Sequence, residues 1–152
     1  MQTWSRCDGS FGVGWDVAAV VPRRYVVDTH ACVFLLAAPR KLGAKARRAL
    51  ERVDSGHDEA WVPAAVVAEI VLLHELGRIR IGLPQLRETL DSVPGLRFLP
   101  LDLHQLDQFV SLTAIRDPFD RLIMSAARSL KAELISRDEE LGESGLVRIV
   151  WA

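Results

Sequence analysis

From Arg24 onward, short apolar runs rich in β-branched residues alternate with longer stretches whose apolar positions recur at helical spacing. Tyr25-Val26-Val27 reads as a buried strand. It is followed by an apolar helix through Ala31-Cys32-Val33-Phe34-Leu35-Leu36 that stops before Pro39, because a residue preceding proline is pushed out of the helical region. Ala44 to Val53 carries Ala and Leu at helical spacing with a basic face of Lys45, Arg47, Arg48 and Arg52. Ala60-Trp61-Val62 is a second strand. Pro63 then stands where a first helical residue belongs, in a helix that runs through Leu76 and ends at Gly77.

The same alternation predicts helices over Pro84–Asp91, Leu103–Leu112 and Pro118–Leu130, and strands over Arg97–Leu99, Glu133–Ile135 and Leu146–Val150. Strands separated by helices of this length imply βαβ units with right-handed crossovers. The expected fold is a three-layer α/β domain, a central mostly parallel sheet flanked by helices.

A chain of 152 residues is one domain by length. Residues 1–22 stand apart, as a flexible or loosely packed extension or, on a further hypothesis, because translation begins near Val20 or Val21; residues 23–152 form the domain. Gly9-Ser10-Phe11-Gly12-Val13-Gly14 is not a phosphate loop, since no Lys-Ser/Thr follows and no strand precedes it. The short Val17-Ala18-Ala19-Val20-Val21 run, behind Asp8 and Asp16, does not make a signal peptide. No apolar run reaches the length of a membrane span.

With 49% apolar and 26% charged residues and a net charge of −1, no global positive field announces a nucleic-acid partner. Lys41, Lys45 and Lys131 are the only lysines; the remaining cations are arginines, which bind phosphate bidentately. Cys7 and Cys32 have no metal-like spacing and fit a reducing cytoplasm better than a disulfide scaffold.

Four acids stand where apolar runs give way to turns or helices: Asp28 after the first strand, Glu69 within Val66-Val67-Ala68-Glu69-Ile70-Val71, Asp120 in Asp117-Pro118-Phe119-Asp120-Arg121, and Asp138 after Leu134-Ile135-Ser136-Arg137. In a parallel sheet, strand C-termini share one edge, so all four can converge there, with Glu69 turned inward on its helix. Gathered carboxylates repel one another and raise their own pKa values; a hard divalent cation, Mg²⁺ or Mn²⁺, removes that cost. Each acid also has a plain structural use. Asp28 and Asp117 suit helix N-caps, Glu69 an arginine pair, Asp120 a helix dipole, and Asp138 a solvated turn with Glu139 and Glu140.

The order Val-Val-Asp-Thr, an inward Glu, Asp-Pro-Phe-Asp-Arg-Leu-Ile-Met-Ser-Ala-Ala and Ser-Arg-Asp resembles the PIN-domain nucleases, the VapC-like toxins of bacterial type II toxin–antitoxin pairs above all. The likeness spans Arg24 to Ala152. It implies a PIN-like nuclease domain in which Asp28, Glu69, Asp120 and Asp138 are both the metal ligands and the catalytic acids, with Asp117 in support and Ser136 where the family often has Thr. It further implies metal-assisted hydrolysis of an RNA substrate in the cytoplasm, a cognate VapB-like antitoxin and a homodimer. Arg121 and Arg137, nearest the acids in sequence, either hold the RNA backbone or are ordinary surface arginines. The non-enzymatic alternative is a catalytically silent PIN-like binding module acting through protein partners. His30 counts against the haloacid-dehalogenase phosphatases, whose second Asp would fall there.

Overall fold

The computed structural model of the chain describes residues 21–152. The extension read above as residues 1–22 therefore lies outside them, Val21 and Pro22 excepted.

Five parallel strands, β1 (Arg24–Val27), β2 (Glu59–Pro63), β3 (Leu96–Leu99), β4 (Glu133–Ile135) and β5 (Ile149–Val150), form one sheet in the order β3-β2-β1-β4-β5. Helices α1 (Thr29–Ala37), α2 (Ala44–Asp54), α3 (Ala64–Glu75), α4 (Leu83–Ser92), α5 (Leu103–Ser111), α6 (Pro118–Leu130) and α7 (Glu139–Glu143) flank it in the expected three-layer α/β arrangement. Val26 and Val27 at the centre of the sheet, Leu134 and Ile135 beside them, and Ile123 and Met124 on α6 are fully buried. Each such side chain contributes roughly 1.5–3 kcal/mol by leaving water.

The chain winds outward on one side of β1 through β2 and β3, then crosses back through α5 and α6 to place β4 on the other side. Tyr25, Val26 and Val27 pair with Glu133, Leu134 and Ile135, and the Asp28 amide continues the ladder to the Ile135 carbonyl at 3.0 Å. The reversal between β1 and β4 is a topological switch point, where the strand C-termini splay and leave a crevice.

Three local expectations differ from the structure. Pro63 is not the first residue of α3 but the last of β2: it pairs with Leu99, keeps an extended ψ of 155° and serves as the N-cap position. Leu146–Val150 shortens to Ile149–Val150, which pair with Leu134 and Ile135, while the Leu146 carbonyl accepts from the Arg128 guanidinium at 2.7 Å. The acidic stretch after Asp138 forms α7 rather than a plain turn, since the Asp138 side chain accepts from the Glu140 and Leu141 amides and caps it. Gly77, at φ +72°, follows α3 as the sequence led one to expect.

Candidate functional site

Asp28 leaves β1 at the switch point and caps α1, its Oδ1 accepting from the Thr29 amide at 2.7 Å. Its Oδ2 accepts from the Ser136 hydroxyl at 2.6 Å, across the β1–β4 seam. Only 7% of Asp28 is exposed, so these donors offset much of the cost of holding a buried carboxylate. Ser136 Oγ in turn accepts from the Asp138 amide at 3.0 Å, so one hydroxyl joins the backbone of one acid to the side chain of another.

Glu69 arrives from α3, which packs on α1. Its Oε1 accepts from Thr29 Oγ1 at 2.6 Å, so the charge that interrupts an otherwise apolar helix points inward to the base of α1. Asp120 sits in the first turn of α6. Asp117 caps that helix, accepting from the Asp120 amide at 3.0 Å, with Pro118 behind it.

Asp28, Glu69, Asp120 and Asp138 line one crevice, and Asp117, Glu139 and Glu140 join them. Asp120 registers the crowding. Burial, and then the charges of Asp117, Asp28, Asp138 and Glu69, push its carboxyl up to about 7. The structure therefore brings the four expected acids into one electrostatic field.

Among the described residues, no three Asp, Glu, His or Cys side chains stand close enough, as placed, to enclose a metal ion. The donor set nevertheless fits a hard divalent cation. All its donors are carboxylate oxygens, and their repulsion, seen in Asp120, is what such a cation relieves.

The two arginines part company. Arg137 lines the crevice and is exposed. Arg121 does not line it: its Nε and Nη2 donate to the Phe109 carbonyl at 2.9 and 2.7 Å, and its guanidinium lies 4.0 Å above the Phe109 ring. Arg121 thus holds α5 to α6 and is not available to a substrate at this rim, which removes the backbone-holding role considered for it from sequence.

Thr29 and Ser136 hold the acids of the crevice through hydrogen bonds that only the fold reveals. The signal for Thr29 was its place directly after a strand-end Asp; the partner that makes it matter, Glu69, is 40 positions away.

The sequence profile of the PIN domain family matches residues 25–144. No curated protein matches the chain at a significant level. Among solved structures, the chain is similar to VapBC2 from Rickettsia felis bound to a fragment of promoter DNA, with a TM-score of 0.63 at 14% identity over 85% of this chain and 99% of that one. It is also similar to DNA-bound VapBC from Salmonella typhimurium, with a TM-score of 0.61 at 17% identity over 84% and 96% of the two chains. FitAcB from Neisseria gonorrhoeae gives 0.58 at 17% identity over 82% and 95%. At these identities the likeness is one of fold. With the family profile covering most of its length, the chain belongs to the PIN domain family.

Proposed function

We propose that the protein is an Mg²⁺- or Mn²⁺-dependent endoribonuclease and the toxin of a type II toxin–antitoxin pair. The observation that carries the nuclease reading is the convergence of four carboxylates, from four separate segments, on one crevice where they jointly perturb Asp120. A bound cation would supply Lewis-acid polarisation of the phosphate and a water of lowered pKa.

The residues around it have distinct tasks. Asp28 and Asp120 would hold the cation; Asp28 is fixed in place by Ser136, and the Asp120 carboxyl, raised by burial and its acidic neighbours, is the one a cation would relieve. Glu69, oriented by Thr29, and Asp138, tied through its amide to Ser136, face the same space and would ligate the cation, hold its waters or take the proton of the attacking water. Arg137 is the cation placed to meet the incoming phosphate.

The toxin reading is supported by the folds of the VapBC and FitAcB neighbours; a VapB-like antitoxin and a homodimer follow from it. A cytoplasmic location accords with it, and among the described residues no helix is long and apolar enough to cross a membrane.

One observation favours a second reading, that of a silent binding module. Asp28, Asp117 and Asp138 all cap helices, so much of the acidic set has structural employment. A cleavage assay on total RNA with Mg²⁺, Mn²⁺ or EDTA, comparing wild type with Asp120→Asn, separates the two. The nuclease reading requires metal-dependent cleavage that the variant loses; no cleavage under any condition supports the module.

A further inference from the structure

Seven carboxylates face the crevice against one arginine, Arg137, and one histidine, His30. A polyanion cannot approach such a surface evenly. It is drawn to a flank that supplies positive charge, and the flank that carries Arg137 does so.

That flank is built around Phe34. His30 and Phe34 lie one α1 turn apart on the same face, with ring centroids 6.5 Å apart. The Arg137 guanidinium sits 5.2 Å from the centre of the Phe34 ring, and the Lys41 ammonium, from the short 3₁₀ turn Pro39–Lys41, sits 5.7 Å from it. The Trp151 ring backs Phe34 at 6.3 Å. Phe34 itself is 9% exposed, whereas His30, Lys41 and Arg137 are exposed.

Among the described residues, neither Lys41 nor Arg137 has a carboxylate partner within ion-pair distance, unlike Arg23, Arg52, Arg97 and Arg148. The ridge therefore presents two unneutralised cations held over a rigid aromatic base, and an exposed imidazole at its crevice end. Cations spaced along a groove with a flat ring among them are what single-stranded nucleic acid needs: charge for the backbone and a face for a base. A duplex would call for a broader basic face than these two charges provide.

We propose that His30, Phe34, Arg137 and Lys41 form the subsite for nucleotides next to the scissile phosphate of a single-stranded RNA, a role that rests on the nuclease reading above. Arg137 and Lys41 hold successive backbone phosphates, and the His30 ring stacks on a base at the edge of the crevice. Phe34 fixes the spacing of the two cations and does not touch the RNA.

The test is binding of a labelled oligouridylate to the full chain in EDTA, over a range of salt concentrations, so that neither cleavage nor metal loading enters the readout. Lys41→Gln/Arg137→Gln should weaken binding at least tenfold and lower the slope of log affinity against log salt by about 1.4, two phosphates at about 0.7 each. His30→Ala should weaken binding about fivefold or more with the slope unchanged, as loss of stacking does. A merely structural cation–π role would lower the melting temperature and leave the slope alone.

Absence of oligouridylate binding by wild type, or a wild-type affinity and slope in the double variant, overturns the subsite. The nuclease reading is judged separately by Asp120→Asn in the cleavage assay. An Asp120→Asn protein that binds the oligomer as wild type does but cuts no RNA supports both; binding that depends on Lys41 and Arg137 in a protein that never cleaves leaves the subsite standing and removes the enzyme.

Discussion

The Ser136 hydroxyl reaches the Asp28 carboxylate at 2.6 Å across 108 positions of sequence. It is the side-chain bond that ties the ends of β1 and β4 together at the mouth of the crevice. Its acceptor is buried, so the bond has no easy substitute from water.

Ser136→Ala leaves that carboxylate with one donor fewer and should cost about 1–3 kcal/mol of stability, the penalty for an unsatisfied buried polar group. Ser136→Thr keeps the hydroxyl and should lose less. Urea denaturation of the three proteins in EDTA measures this, and equal midpoints for Ala and wild type would refute it.

Thr29→Val keeps the shape of the side chain but frees Glu69 from its 2.6 Å hydrogen bond. Groups that orient a metal's ligands typically matter 10- to 100-fold to its affinity. The Mg²⁺ concentration giving half-maximal thermal stabilisation should rise by about that factor, with the metal-free melting temperature lowered only slightly. An unshifted Mg²⁺ titration would remove Glu69 from the metal site.

Asp120 gives a pH signature. Its carboxyl is raised from an ordinary 3.8 to about 7, first by burial and then by its acidic neighbours. Between those values the folded chain holds a proton that the unfolded chain has released, so stability falls as pH rises. The contribution is complete below 3.8 and gone once the pH has passed about 7. In EDTA, wild type should therefore lose stability relative to Asp120→Asn from pH 5 to 8, and saturating Mg²⁺ should abolish the difference in slope. Parallel pH profiles of the two proteins in EDTA would show that Asp120 is not under strain.

Asp58 provides a control at the opposite edge of the sheet. Its side chain is fully buried and would be driven up by desolvation, but the Arg52 guanidinium at 2.7 Å and the Arg23 amide at 3.0 Å hold it below its ordinary value. Its stabilisation is present above the unfolded value of 3.8 and lost as the pH falls through the folded one. Asp58→Ala should lower stability by about 1–3 kcal/mol yet leave cleavage per folded molecule unchanged. A loss of cleavage in fully folded Asp58→Ala would mean that the two edges of the sheet communicate.

The periodicity of the chain was enough to recover the alternation of strands and helices, because β-branched runs and helical stripes seldom mimic each other over these lengths. The four acids were legible for a related reason: a charge beside a core segment needs a physical explanation, and Glu69 amid Val66, Val67 and Ile70 most of all. What sequence withheld was pairing. Nothing near Thr29 announces Glu69, and nothing near Arg121 announces that the Phe109 carbonyl will occupy its guanidinium. Arg121 and Arg137 look equivalent as cations next to acids; only the fold turns one into a helix-to-helix tie and leaves the other in the crevice. Likewise, α7 needed the Asp138 cap, which a run of acidic residues hides.

The register of Tyr25 on Glu133 has a kinetic consequence. A parallel pair closed by so long an excursion is among the slowest contacts a domain can make, since loop entropy must be overcome before the pairing stabilises anything. A core of β1, β2 and β3 alone holds Asp28 but neither Ser136 nor Asp138, so the crevice exists only once β4 is paired with β1.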